Sequence, residues 1–242
     1  MEEMHSVNST LFAENIVGRV DDSRTFYGRE LNTEYVFGSF SALGENSSSI
    51  ISVLGVPVNH STTQFATSGN NVSVTELVYF NITLVDYLVP VQINIWLSFD
   101  GDRKISAYDA SFRWFSWLYD DLLKEFSARQ GYGSDVTAAS QDLKSGLIQQ
   151  ICERATIHCV GRNLQYNNSF ECADMLFRKV RLGMSYEFGM NTILCRSLHA
   201  LMVPLRPDIH CPHVGRTGGD MCVDDLRYQE LATVDVVGTN QD

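Results

Sequence analysis

The sequence predicts an α+β fold: a curved antiparallel sheet with packed helices, followed by a disulfide-stapled helical and loop segment. Three observations predict it. Residues 72–114 form three consecutive runs with strand-like alternation. Apolar residues then recur at helical spacing through residues 115–158. All six cysteines (Cys152, Cys159, Cys172, Cys195, Cys211 and Cys222) lie in the second half of the 242-residue chain.

Taken in order, Val72–Asp86 is the first run and Val89–Phe99 the second. Asp100-Gly101-Asp102 then gives an Asp-Gly hairpin signal, and Lys104–Trp114 is the third run. One sequon orients this sheet. A glycan on Asn81 would require that side chain to face solvent, and strand side chains alternate. Glu76, Val78, Phe80, Ile82, Leu84 and Asp86 then face inward, a row of apolar side chains with an acid at each end. On the second strand the apolar face is Val89, Val91, Ile93, Ile95, Leu97 and Phe99. Phe115–Phe126 and Gln141–His158 read as helices. A third helix runs from Ser169, its expected N-cap, to about residue 181. Gln130-Gly131-Tyr132-Gly133-Ser134 is the loop expected to divide a pocket domain, 1–129, from a Cys-rich segment, 130–242.

Composition narrows the compartment and the partners. Six sequons (Asn8, Asn46, Asn59, Asn71, Asn81 and Asn167) accompany the even cysteine count, which reads as a secretory-pathway glycoprotein with about three disulfides. The acidic start Met1-Glu2-Glu3-Met4 is not that of a signal peptide, so a secreted protein would have lost its leader. The formal charge of −11 argues against nucleic acid as a partner, because phosphate backbones demand cationic surface. There is no apolar run long enough for a membrane-spanning helix. The expected partners are an apolar small molecule and N-glycans, with homodimerisation left open. Six cysteines allow about fifteen connectivities. Cys152–Cys159 is disfavoured, since seven helical residues separate the Cα atoms by about 10 Å.

The run Val91–Arg113, an apolar strand followed by the "SFDGDRKIS" hairpin and "AYDASFRWF", resembles the NTF2-like or SnoaL-like cone fold. That fold wraps a sheet around a helix and leaves a deep apolar pocket; a lipocalin-like curved sheet is the alternative. The resemblance implies opening helices. Leu11–Val20 could serve as one, whereas Tyr27–Phe40 reads as extended chain. The second half resembles secreted fungal proteins sharing a Cys/His-rich tail. Here that tail is Cys195, Arg196 and His199, then Arg206-Pro207 with His210-Cys211-Pro212-His213 and Gly215, then Gly218-Gly219 and Cys222. Some members look like epoxide hydrolases or cyclases of polyketide or terpenoid pathways.

The resemblance implies acid/base chemistry without a cofactor: one carboxylate activates water, an acid protonates the epoxide oxygen, and an arginine holds them in place. The candidate catalytic residues are Asp86, Asp109 and Arg113, with Glu76 as a substitute. Asp109 and Arg113 share one face of the third strand. Tyr79 and Tyr108 fall on the opposite parity from their neighbouring acids. Two other functions stay open: a carrier of an apolar ligand, and a metal-dependent enzyme using His199, His210 and His213. The latter is weighed below structural histidines, because the neighbouring cysteines are better used as disulfides. A Cys211/His213 nucleophile is lower again, since a bridged cysteine cannot attack. The Arg216-Thr217-Gly218-Gly219-Asp220 loop lacks the context of a phosphate cradle and reads as a turn.

Overall fold

The computed structural model describes residues 7–40, 43, 51–53, 55–85 and 87–237. Six strands form one sheet: β1 Phe12–Val20, β2 Thr25–Tyr27, β3 Val56–Ser68, β4 Asn71–Ile82, β5 Tyr87–Phe99 and β6 Ile105–Phe112. Their order is β2-β1-β6-β5-β4-β3. The consecutive antiparallel strands β4 to β6 carry the predicted hairpins, β3 adds a strand that the sequence reading did not expect, and β1 joins β6 in parallel.

The parity argument holds on β4 and β5. Asn81 is exposed, whereas Phe80 and Ile82 are buried. Val89 and Val91 are buried, and Trp96 on the other face is 55% exposed. The Asp-Gly hairpin closes differently from expectation. Asp100 Oδ1 accepts from the backbone N–H groups of Asp102 (2.9 Å) and Lys104 (2.8 Å), and Arg103 rather than Gly101 takes positive φ. Of the sequons, Asn8, Asn59, Asn81 and Asn167 are exposed, and Asn71 is half-buried with its side-chain oxygen accepting from Ser98 Oγ at 2.6 Å. Asn46 lies outside the described residues.

The opening segment departs from the sequence reading. Leu11–Val20 is not a helix; its core is strand β1, because pairing with β6 satisfies its backbone and buries Phe12 and Ile16. Tyr27–Phe40 is not extended. It contains helix α1, Arg29–Thr33, which runs directly into a π-helical turn, Glu34–Gly38. Asn32 holds this entry, its side-chain N–H donating to the carbonyls of Phe26 (3.1 Å) and Gly28 (2.9 Å).

Helices follow the sheet: α2 Phe115–Arg129, α3 Val136–His158, α4 Ser169–Lys179, α5 Ile193–Met202, α6 Pro207–Val214 and α7 Tyr228–Thr233. The N-cap of α4 is Asn168, not Ser169; its side chain accepts from Glu171 N–H. Leu122, Leu143, Leu147, Ile151, Leu176 and Ile193 pack with Phe80, Ile82, Val89 and Val91 in one core. Each such side chain contributes about 1.5–3 kcal/mol relative to exposure. The helices thus cover one part of the sheet's inner face and leave the rest to a separate cluster around Phe12, Ile16, Tyr108 and Ala110. The disulfides are Cys152–Cys172, Cys159–Cys211 and Cys195–Cys222, with Cα–Cα distances of 5.6–5.7 Å. They staple α3 to α4, the end of α3 to α6, and α5 to the segment after α6. No helix of the described residues is long and apolar enough to cross a membrane.

Candidate active site: an apolar cavity beside a buried histidine cluster

The uncovered part of the sheet encloses a cavity of about 400 Å³. Val78 and Phe80 of β4, Ile93, Ile95 and Leu97 of β5, and Tyr108, Ala110 and Phe112 of β6 form one wall. Tyr35, Val36, Phe37 and Phe40 close it from the π-turn side, and Phe188 and Leu198 contribute from the helical half. Few polar residues interrupt this lining: Asp22, Ser23, Ser39, Tyr35 and Tyr108.

Asp22 sits in the turn between β1 and β2. Its carbonyl accepts from Phe188 N–H at 3.0 Å, and the adjacent Arg24 guanidinium donates to the carbonyls of Gly189 and Met221 (2.6 Å each) and Val223 (2.8 Å). Gly189 permits this approach, since a Cβ there would lie 2.5 Å from Arg24 Cγ and 2.7 Å from the Ser23 carbonyl oxygen. Burial, with repulsion from Asp21, pushes the Asp22 carboxyl up to about 8. Tyr108 is 5% exposed, and its hydroxyl finds no hydrogen-bond partner among the described residues. Burial raises that phenol far above its ordinary range.

The sequence-predicted catalytic residues are placed elsewhere. Asp109 points away from the cavity and forms a two-pronged ion pair with Arg19, whose Nε lies 3.0 Å from Asp109 Oδ1. Arg113 is exposed, reaching Gln92 Oε1 at 3.4 Å and lying over the Trp114 ring at 4.1 Å. Glu76 engages Thr62 (2.5 Å) and His60 (3.1 Å) on β3 and does not line the cavity. Asp86 lies outside the described residues. Asp109, Arg113 and Glu76 therefore do not meet. For Asp109 and Arg113 the physical reason is register: Leu97 pairs with Tyr108 and Ile95 with Ala110, so the inward parity of β6 is even. Tyr108 is the inward residue and Asp109 the outward one.

The three histidines, by contrast, do converge. His199 comes from α5, and His210 and His213 lie three apart on α6, so one helical face presents both. His199 Nδ1 is 3.1 Å from His210 Nδ1 and 3.0 Å from His213 Nδ1. All three side chains are buried. Each outer ring nitrogen has its own partner: His210 Nε2 meets Glu34 Oε2 (3.2 Å), His213 Nε2 meets Asp220 Oδ1 (2.7 Å), and His199 Nε2 meets Tyr35 Oη (2.6 Å). Consecutive residues of the π-turn, Glu34 and Tyr35, supply two of these partners. Glu34 is fully buried, and Arg206 Nε at 3.3 Å offsets its charge. Gly219 brings Asp220 in, since a Cβ there would lie 2.5 Å from His213 Cδ2. Burial and the neighbouring rings hold His199 well below the usual histidine range and His213 at about 4. Cys195 and Cys222 lie beside His199 but are bridged, so neither offers a thiolate. Tyr35 belongs to both places, lining the cavity and bonding His199.

Sequence reasoning named the histidines and set Tyr108 aside, but missed Asp22, Glu34, Tyr35 and Asp220. The signal available for Tyr108 was the cross-strand register with the apolar face of β5. Nothing local marks Asp22, whose surroundings come from residues near 112 and 188.

Fold and site together define an α+β cone protein with a deep apolar cavity and a few enclosed ionisable groups. Models of the BfoA N-terminal domain and the BfoA family C-terminal domain match residues 1–110 and 114–225. The chain belongs to the BfoA family. It is 44% identical over 231 residues to aurasperone B biosynthesis cluster protein A of Aspergillus niger, covering 95% of this chain and 73% of that protein. It is 45% identical over 232 residues to bifonsecin B biosynthesis cluster protein A of Aspergillus brasiliensis, covering 95% and 75%. Among solved structures, it is similar to a hypothetical protein with a ketosteroid isomerase-like fold from Catenulispora acidiphila, with 17% identity, 46% and 75% coverage and a TM-score of 0.36. A chain described as a SnoaL-like polyketide cyclase, from Jannaschia sp. CCS1, gives 9% identity, 45% and 71% coverage and a TM-score of 0.35.

Proposed function

We propose that this protein is a pocket enzyme of secondary metabolism that cyclises or isomerises an apolar, polyketide-class intermediate by proton transfer. One observation carries the reading: a largely apolar cavity is lined by a carboxyl pushed up to about 8 and by a tyrosine whose buried hydroxyl has no hydrogen-bond partner among the described residues. The relatives' membership of biosynthesis clusters supports the metabolic setting. A base whose pKa lies near working pH suits removal of a proton from carbon between two carbonyls. Asp22 takes that role. Tyr108 O–H donates to the enolate oxygen as charge develops there, in a site with little water to compete. The enolate carbon then attacks a second carbonyl, and the proton returns from Asp22 to the new alkoxide. Epoxide opening, the other reaction implied by the sequence, asks for converging carboxylates. Asp22 is the one carboxyl lining the cavity among the described residues, so cyclisation is favoured. Exposed sequons and three disulfides support action in an oxidising, secretory compartment.

The test uses the compound that accumulates when the gene is deleted from its host. Asp22→Asn is expected to bind that compound and convert it at least about 100-fold more slowly, in line with loss of a general base. Tyr108→Phe is expected to lower kcat more than it raises KM. Binding without conversion by the wild-type protein would instead establish a carrier.

A further inference from the structure

We infer that His199, His210 and His213 hold one divalent first-row transition-metal ion, of the Zn2+ or Cu2+ class, through their three Nδ1 nitrogens. The first argument counts protons. His210 Nε2 and His213 Nε2 each face a carboxylate oxygen and so carry their ring's hydrogen. In the neutral rings that metal ligation requires, their Nδ1 atoms are lone pairs, and both lie about 3 Å from His199 Nδ1. That atom can present at most one hydrogen, whatever the charge on its ring. One lone pair is left facing nitrogen at about 3 Å inside a buried cluster, a cost that native interiors rarely leave uncompensated. A cation at the meeting point satisfies all three at once.

The second argument is metric. Metal–nitrogen bonds of about 2.0–2.1 Å at tetrahedral or octahedral angles place ligand nitrogens about 2.8–3.4 Å apart. The two Nδ1 separations, 3.1 and 3.0 Å, fall in that range. The third concerns the outer partners. Metal-ligating histidines donate their other N–H to a carboxylate or another oxygen acceptor, which fixes tautomer and ring angle. Glu34, Asp220 and Tyr35 do this for the three rings, and the two carboxylates offset the ion's charge. Three neutral imidazoles suit zinc or copper better than calcium or magnesium, which prefer oxygen.

The ion would also set the orientation of Tyr35. With Nδ1 bound to metal, His199 Nε2 must donate, so Tyr35 Oη accepts and its own hydrogen is free for an oxygen atom in the cavity. This last link rests on the proposed catalytic pocket; the metal site does not.

The experiment uses the chain with its disulfides intact, stripped by a chelator and titrated with Co2+ and then Zn2+. Visible d–d absorption from one equivalent of Co2+, displaced by Zn2+, is expected. His213→Ala should abolish it, and His60→Ala, at a surface histidine, should leave it unchanged. Asp220→Asn keeps all three ligands and alters an exposed carboxylate, and should weaken affinity about 10-fold or more. No stoichiometric uptake by the folded wild-type chain overturns the inference. So does uptake undiminished in His213→Ala or, should that variant not fold, in Asp220→Asn. Turnover is not read, so failure here leaves the catalytic proposal standing.

Discussion

Replacing Asp22 by Asn is expected to make the protein more stable while removing its activity. The folded-state pKa of this carboxyl is raised from 3.8 to about 8. The native state therefore binds a proton more tightly than the unfolded chain. Its contribution to stability is fully present below about pH 4, falls as pH rises and levels off above about pH 8. Each pH unit inside that window costs about 1.4 kcal/mol. At pH 7 about three units have been crossed, so the side chain destabilises the native state by about 4 kcal/mol. Asn has nearly the same shape and no such penalty. Guanidinium unfolding under oxidising conditions, followed by circular dichroism, should show the variant more stable by about 3–5 kcal/mol at pH 7 and equal to wild type near pH 4. The difference between the two proteins isolates Asp22 from every other titrating group. Equal stability at both pH values, or a variant less stable at pH 7, would refute a buried Asp22 of raised pKa and with it the proposed base.

Gly18→Ala places a Cβ 2.2 Å from the Tyr108 ring and 2.1 Å from Asn32 Oδ1, so Tyr108 must move. A loss of about 1–3 kcal/mol in equilibrium unfolding is expected, with weaker binding of an apolar fluorescent probe. The Cys159→Ala/Cys211→Ala double variant releases the helix that carries His210 and His213 from the end of α3. It should lose about 2–5 kcal/mol of stability and bind Co2+ more weakly, as measured by the same metal titration. Asp109→Asn and Arg113→Ala should each leave turnover within about 2-fold of wild type, since surface substitutions away from a site act weakly. A large loss of kcat in either would return those residues to the reaction.

The hairpins β4 to β6 were legible because alternation and short turns are local. The Asn81 sequon gave the parity of β4, and apolar alternation gave that of β5. The same logic stopped at β6, where candidates were chosen by charge. The register partner of Leu97, and not the acid beside it, was the residue to follow inward. Leu11–Val20 looked helical on a resemblance, and it is a strand because β6, some ninety residues away, takes up its hydrogen bonds. The histidine spacing was visible, but spacing alone cannot separate a ligand from a loop support. The proposed ligand role draws on Glu34 and Tyr35, 176 and 164 residues from their partners. No pattern in a single sequence links positions so distant.

The Arg24 side chain has a consequence for the order of folding. It anchors the Asp22 turn to carbonyls at 189, 221 and 223. At about 5–20 residues per second, a ribosome takes about 10–40 seconds to travel between the two ends of that clasp. Through that interval the first strand is made but its final moorings are not. The Asp22 turn is thus synthesised well before it is fixed. A nascent chain halted before residue 221 would carry the sheet without a finished cavity.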